Sequence, residues 1–591
     1  MKIKVSDYIA KRLTHIYKVR HVFMISGGGA MHLNDSFGHS KINYICNHNE
    51  QASAIAAEGY ARLNQDLGVV CVTTGPGGIN ALNGLFGQWT DSTPVLYISG
   101  QVKFSTTMAS CPQIPLRQLG DQEVDIVSVV KSLTKYAVMV SDPLTIKYHL
   151  DKAIYLAQSG RKGPVWLDIP LNVQAAIVEE RELKSFKMPA RTKHNLKIKE
   201  VISTLKKAKR PLIVAGHGIR ISGMVEEARK LVKILNVPAV ATFNGLDLIA
   251  NDNPLFAGRI GTSGSRAGNF ALQNADCILF LGTRNNIRQV SYNWENFAKN
   301  AYKIVVDIDK AELDKPTVKP DLKINADLKD FLPALLKAAR PARQPSPWPI
   351  RCHTAALKYT PVNEHKLIPN GKVSAYHFIE TLTSLLPENG VLVGTNGTAC
   401  IGTFQAAFVK GRAQRMFLNS GNASMGYGLP AAIGACAAGG GRSVICLEGD
   451  GSIMMNLQEL QTLKHYNLPV KVFIINNNGY ISIKQTQRNF FGRFAACGTD
   501  CGVSMPDFTA VTRAFGLPAF KIRTNKDIEK TLKKLLSLRG PLVCEVITED
   551  DYIFKPKLSS KKLPDGSMIS PTLEDMYPFL PEEELRSNII K

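Results

Sequence analysis

Long apolar runs are missing from this sequence. Nowhere do about eighteen apolar residues follow one another, the minimum for a membrane-spanning helix, so no membrane protein is expected. Cysteine pairing motifs are missing too. Eleven cysteines are scattered without a CxxC pair or a regular spacing, which argues against a disulfide framework or a zinc site and for free thiols in a reducing compartment. The opening MKIKVSDYIAKRL has neither the apolar core nor the small-residue cleavage site of a secretory signal, and a cytoplasmic location is expected. Aromatic residues are absent from the basic clusters KHNLKIK (193–199) and KPKLSSKK (555–562), so no base-stacking surface is drawn. The formal charge of +23 is spread along the chain. It reads as solvated surface with some attraction for anionic ligands, and a nucleic-acid partner is the reading it supports least.

What is present is an α/β pattern. At 591 residues the chain exceeds one core, and an apolar fraction of 45% marks a soluble globular protein of three or four domains. Short β-rich runs alternate with helical patterns, which predicts three consecutive domains with mainly parallel sheets flanked by helices. The runs group as YICN (44–47), VVCVTT (69–74) and VLYIS (95–99); PLIVAG (211–216), CILFLGT (277–283) and KIVVDID (303–309); VICLEG (444–449) and VKVFIINN (470–477). Composition shifts place the domains at 1–180, 195–338 and 371–552, with a linker at 339–370 around RPARQPSPWP and a docked tail at 553–591.

Ligands of open α/β sheets bind at the carboxyl ends of strands. Gly-rich loops stand at such ends: SGGGA (26–30), TTGPGGIN (73–80), GHGIR (216–220) and GDGS (449–452). Each alone could be only a tight turn. In LEGDGSIMMN (447–456), however, Asp450 sits between Gly449 and Gly451, and Asn477 of INNNGY (475–480) follows after one helix-length segment (457–466) and one strand. Neighbouring strand ends bring a carboxylate and an amide oxygen together, a set of oxygen donors suited to magnesium, with N–H groups near Ser452 free for diphosphate.

GDGS followed by NN at this distance resembles the metal and diphosphate motif of thiamine-diphosphate enzymes. The resemblance implies thiamine diphosphate and Mg2+, with Asp450, Asn477 and the main-chain oxygen of Gly479 as metal ligands. Gly449, Gly451, Ser452, Tyr480 and Ile481 are implied to line the cofactor. HNEQASAIAAEGYAR (48–62) is similar to the family's HEQ…AAEGYAR motif and implies that Glu50 hydrogen-bonds the aminopyrimidine, work that suits a buried glutamate of raised pKa. Helix capping is the other reading of Glu50, and Glu58 reads as structural. Met425 in NSGNASMGYGLPAAIG (419–434) matches an apolar wedge beneath the cofactor, with Pro76, Asn80, Thr398 and Ala423 as further contacts. Because the two half-sites meet across subunits in that family, a homodimer or homotetramer is implied.

Within the family the chain most resembles acetolactate synthase large subunits. GGGA, HNEQ, TTGPGGIN, SGQV (99–102) and SGRKGPVWLDIP (159–170) recur in order. This implies a pyrimidine-binding domain, a central nucleotide-type domain and a diphosphate-binding domain, in that order. GTR…R (282–288) and VVDIDKAEL (305–313) stand where that group holds a structural FAD, which implies Gly216, Arg284, Arg288 and Asp307 as its contacts. An ADP or CoA moiety, or a lost ligand, is the alternative. The implied reaction takes a two-carbon unit from pyruvate, a 2-keto acid, and joins it to a second carbonyl. Gln122 in LGDQEVDIV (119–127) would lie near the reacting carbons, the N–H groups of Gly28 and Gly29 would polarise the substrate carbonyl, and Arg288 would face an acceptor carboxylate. A small regulatory subunit accompanies many such enzymes. Three departures stand out: Asp121 replaces a phenylalanine, Thr486 a tryptophan, and Ala399 and Cys400 a Gln-His pair in the loop over the diphosphate. They suggest a more polar acceptor pocket. The readings rank as an acetolactate-type carboligase, a carboligase acting on a nucleotide-linked keto-deoxy sugar, a decarboxylase of a 2-keto acid or acyl-CoA, and a nonenzymatic nucleic-acid binder.

Overall fold

A computed structural model describes residues 1–190, 194–341, 346–411, 413–562, 565 and 567–590. Lys193 of one basic cluster and residues 342–345 of the Pro-rich segment lie outside the described residues. Three six-stranded sheets follow one another along the chain. The first is built from strands between His21 and Pro170, the second between Pro211 and Asn325, the third between Val391 and Ile547. Their strand pairs are parallel, for example Val70 beside Tyr97, Leu279 beside Ile304 and Leu447 beside Phe473. Counted in chain order within each sheet, the first and third both run 2-1-3-4-6-5, whereas the middle one runs 3-2-1-4-5-6. Parallel strands covered on both faces need apolar residues on both faces. Val95–Gln101 is buried throughout, and Val444–Gly449 is buried up to its last residue.

The first and third sheets share one core. It gathers Phe23, Tyr97 and Trp166 from one and Val393, Phe417 and Val472 from the other. Two alanine- and glycine-rich helices, Glu50–Asn64 and Gly428–Ala438, make the junction. A side chain on Gly59 would strike the carbonyl of Ala431, and one on Gly434 would strike the carbonyl of Ala56. Only glycine permits so close a crossing. The pairs 59 with 431 and 56 with 434 also fix the two helices as antiparallel.

Buried ions tie the domains. Arg62 bonds Glu58 at 2.9 Å and Asp91 at 2.5 Å, Tyr427 donates to Glu58 at 3.1 Å, and Asn244 of the middle domain donates to Asp91 at 3.2 Å. Asp247 meets both Arg220 and Arg415 at 2.9 Å. Burial opposes its charge, yet the two guanidinium groups hold Asp247 down to about 2. The tail is docked as expected: Arg266 donates to the carbonyl of Met576 at 2.9 Å and Asn269 to that of Leu573 at 3.0 Å. All eleven cysteines are free thiols. Among the described residues no helix is long and apolar enough to cross a membrane.

Candidate active site

The metal-type constellation forms on the third sheet. Strands Val444–Gly449 and Val470–Asn476 pair with Gly449 opposite Ile475, so Asp450 and Asn477 emerge side by side. Asp450 opens a one-turn helix, Asp450–Ile453, and the expected helix at 457–466 is shorter, Glu459–His465. Asp450 Oδ2 accepts the N–H groups of Asn477 and Gly479, both at 3.0 Å, and Oδ1 accepts that of Gly451 at 2.7 Å. Burial pushes the Asp450 carboxyl up to about 6 against these donors. Beside it, Oδ1 of Asn477 is buried and has no hydrogen-bond partner. An orphaned acceptor next to a buried carboxylate is relieved by a small hard cation, so these residues fit magnesium. Among the described residues there is no cluster of three His, Cys, Asp or Glu to suggest a softer metal. Gly479 has φ +134°, and a side chain there would strike the carbonyl of Cys497. A side chain on Gly451 would likewise strike the ring of Tyr480.

The expected cofactor contacts gather around this turn. Ser452 accepts the N–H of Gly426 at 3.0 Å and bonds Thr395 at 2.8 Å, while Asn456 donates to the carbonyl of Gly426 at 2.7 Å. These bonds pin the loop that carries half-buried Met425 against the Asp450 helix. Asn396 donates to the carbonyl of Ala423 at 3.2 Å. Ile481 is buried at the start of helix Ile481–Phe491, and the N–H of Tyr480 bonds the carbonyl of Cys497 at 2.9 Å. Thr398 hydrogen-bonds the hydroxyl of Tyr552. Tyr552 is half-buried in the segment after the third sheet's strand Leu542–Ile547 and close enough to Asn477 and Asp450 to feel both. Sequence reasoning missed it, because TEDDYIF carries no motif.

The proton-type constellation forms on the first sheet. Glu50 is the first residue of its helix and half-buried. Capping belongs to its neighbour, since the Asn49 side chain accepts the N–H of Gln51 at 2.8 Å. Glu50 Oε2 accepts from Asn80 at 3.0 Å, and a side chain on Gly77 would come within 3.5 Å of Oε1. Pro76 begins the one-turn helix Pro76–Asn80. Gly29 presses on Thr74, whereas Gly28 faces open space. Gln122 is exposed with φ +59°, its carbonyl tucked against Gly75. Later in the same helix stands Glu58, which burial pushes up to about 7 despite Arg62. Its partners are Arg62 and Tyr427, which makes its role structural.

Within one chain the two constellations meet at their flanks, where Asn83 donates to the Ser424 hydroxyl at 2.7 Å and Asn422 donates to Asn83 at 3.2 Å. Among the described residues, no hydrogen bond or ion pair joins Glu50 to Met425, Asp450 or Asn477. Tyr427 meets Glu58, eight residues and so about 12 Å along the helix axis from Glu50. Asn47 and the N–H of His48, just before Glu50, bond instead to Glu459, both at 2.8 Å.

The middle domain opens a cavity of about 840 Å3 at the switch point of its sheet. Arg284 and Asp307 line it, with Arg161, Lys162, Gly218 and Gly282. Burial raises the Asp307 carboxyl to about 6. Gly216 lies behind the lining, packed on Gly282, and Arg288 stacks on Phe243 and donates to the carbonyl of Ser420 at 3.3 Å. On the acceptor side Asp121 and Thr486 are exposed. Ala399 and Cys400 are placed otherwise than expected: they lie inside helix Gly397–Ala406, fully buried in the core, and present nothing to a loop over the diphosphate.

Comparison with known proteins follows the same division. The thiamine pyrophosphate enzyme N-terminal TPP binding domain matches residues 3–129, the central domain residues 198–335, and the C-terminal TPP binding domain residues 397–546. A probable acetolactate synthase large subunit of Methanococcus aeolicus is 30% identical over 581 residues, 94% of this chain and 92% of the relative. Acetolactate synthase 1, chloroplastic, of Zea mays is 31% identical over 582 residues, 92% of this chain and 85% of the relative. A probable large subunit of Methanocaldococcus jannaschii is 31% identical over 551 residues, 90% of each chain.

Proposed function

The chain belongs to the thiamine pyrophosphate enzyme family, and from that premise we propose that it is a carboligase of the acetolactate synthase type. In this reading it uses thiamine diphosphate and Mg2+, takes a two-carbon unit from pyruvate and joins it to a second carbonyl compound. The observation that carries the reading is the partnerless, buried Oδ1 of Asn477 beside the Asp450 carboxylate.

When bound, thiamine diphosphate supplies the carbon nucleophile that takes up and releases the two-carbon unit. Asp450, Asn477 and the Gly479 carbonyl would hold a magnesium ion, which would supply positive charge to neutralise the diphosphate. Met425, pinned through Gly426 by Ser452 and Asn456, offers an apolar shelf under the rings. Glu50 would exchange a proton with the aminopyrimidine ring nitrogen through its Oε1, while Asn80 holds Oε2 in place. Gly28 and Gly29 offer N–H groups to the substrate carbonyl oxygen, and Gln122 stands at the reacting carbons.

A second copy of the chain supplies the missing half-site. Glu50 of one chain then faces Met425 and Asp450 of the other, which completes the burial that the single chain leaves half done. Exposed Ile79 near the Glu50 half, and Met454, Met455, Phe490 and Phe491 near the Asp450 half, are the apolar surface this pairing would cover. The reading includes a homodimer or homotetramer, a cytoplasmic location, a regulatory subunit as in many acetolactate synthases, and domain limits at 1–180, 195–338 and 371–552. It also places FAD in the middle cavity. The volume suits a dinucleotide, Lys162 and Arg284 suit its diphosphate, and the buried acid Asp307 suits ribose hydroxyls.

The test is a screen of carbonyl acceptors with pyruvate as donor, read by product mass. Acetolactate from pyruvate alone is the expected product. Carbon dioxide release without a coupled product would overturn the carboligase reading. Visible flavin absorbance in the purified protein checks the middle cavity separately.

A further inference from the structure

Two cysteines stand directly behind the metal turn. Cys497 and Cys501 belong to the loop AACGTDCGVS (495–504), and their sulfur atoms are 3.6 Å apart. Cys497 is fully buried and Cys501 is half-buried, so solvent reaches the pair through Cys501. Two backbone N–H groups converge on the Cys501 sulfur, from Cys497 at 3.3 Å and from Gly498 at 3.2 Å. The loop is clipped to the metal turn by the bond from Tyr480 N–H to the Cys497 carbonyl and by the antiparallel bridge between Gly479 and Gly498. It is clipped to helix Ile481–Phe491 by Gln487, which accepts from Ala495 N–H at 2.9 Å and from the Cys497 thiol at 3.3 Å.

We propose that Cys497 and Cys501 form a reversible disulfide that loosens the Asn477–Tyr480 turn and so weakens retention of the magnesium–diphosphate group. Closing the pair to a bond of about 2 Å moves the sulfurs some 1.5 Å closer together. The movement withdraws the Cys501 sulfur from its two N–H donors, and oxidation removes the Cys497 thiol proton that Gln487 accepts. The loop then no longer backs Gly479 in its left-handed conformation. With a hydroperoxide as oxidant the chemistry balances. The Cys501 sulfur attacks the peroxide oxygen, giving a sulfenic acid and releasing water. The Cys497 sulfur attacks that sulfenic sulfur, its proton leaves with the hydroxyl as a second water, and the sulfur–sulfur bond forms. Two thiols and one peroxide give one disulfide and two waters. A dithiol reductant reverses the step by exchange.

The inference rests on the reading of Asp450, Asn477 and Gly479 as the metal site, and the test separates the two. The full-length protein is treated with hydrogen peroxide, and a digest without reductant is mapped by mass. Magnesium-dependent binding of thiamine diphosphate is measured by equilibrium dialysis before treatment, after it, and after dithiothreitol. The expected result is a peptide carrying a Cys497–Cys501 disulfide, with affinity weakened roughly tenfold, the size of losing one or two buried hydrogen bonds, and restored by reductant. Cys501→Ser should bind as the reduced protein does and ignore peroxide. Absence of the linked peptide, or equal affinity of the oxidised and reduced forms, overturns the switch and leaves the metal site standing. If the reduced protein fails to bind the cofactor at all, the metal-site reading falls and this switch falls with it, while the mass map still reports the disulfide on its own.

Discussion

The first and third sheets have the same strand order and, in the proposed reading, carry opposite halves of the chemistry. At the strand ends of the first, Glu50 is half-buried and held by one neutral side chain, Asn80. At the strand ends of the third, Asp450 is buried under three backbone N–H groups next to an amide oxygen with no partner. The difference teaches that the scaffold does not decide the chemistry. The loop after a strand decides whether a carboxylate stays half-open, as Glu50 does, or is closed in under backbone N–H groups, as Asp450 is. Under the proposed reading each half is completed by a second chain, while within one chain the helices Glu50–Asn64 and Gly428–Ala438 cross antiparallel at Gly59 and Gly434.

The sharpest break in this comparison comes from removing one carboxylate at a time. Asp450→Ala should abolish magnesium-dependent retention of thiamine diphosphate in equilibrium dialysis, and turnover with it. Glu50→Gln should keep that retention while turnover falls by roughly 10²–10⁴. Near-normal turnover of Glu50→Gln would contradict its role. Next in size is the polar junction between the two sheets. Arg62→Met strands the buried Glu58 and Asp91 and should cost about 3–5 kcal/mol, read as a lower denaturation midpoint.

A smaller effect separates the buried acids by pH. Glu448 sits under the N–H of Leu429, and burial pushes it from an ordinary 4.5 up to about 7. The folded protein therefore holds a proton that the unfolded chain gives up. That stability is fully present below about pH 4.5 and is lost as pH rises through about 7. Glu448→Gln, measured by chemical denaturation across this window, should flatten the loss; an unchanged slope would contradict it. Asp168, bonded to Ser99 and Gln101 in the first sheet and also pushed up to about 7, should show the same behaviour in Asp168→Asn. Smallest is Tyr552→Phe, which should weaken cofactor binding by about two- to fivefold through loss of one hydroxyl.

Much of this was legible in the sequence, for particular physical reasons. Apolar runs ending in Gly-rich loops identify buried parallel strands and their ligand-facing ends, and the interval between Asp450 and Asn477 matches two adjacent strands. Glu50 is singled out by the resemblance of HNEQASAIAAEGYAR to the family's motif. What stayed hidden depends on tertiary placement. Tyr552 reaches the turn at Asn477 only because the chain folds back after strand Leu542–Ile547. Glu459 marks where the start of the Glu50 helix packs, and nothing near it in sequence says so. Ala399 and Cys400 align with a loop position yet fall on the inner face of a helix, where only packing decides. The scattered cysteines correctly predicted free thiols, but pattern alone could not show that Cys497 and Cys501 share a turn behind Gly479.

The central claim is that the working site joins Glu50 of one chain to Asp450 and Asn477 of another. Mixing the two inactive variants, Glu50→Gln and Asp450→Ala, under conditions that exchange subunits tests it most directly. A shared site predicts that each mixed dimer regains one intact site, so roughly a quarter of wild-type turnover returns on random pairing. No recovery, with subunit exchange verified by mass, would contradict the account and place both halves of the site within one chain.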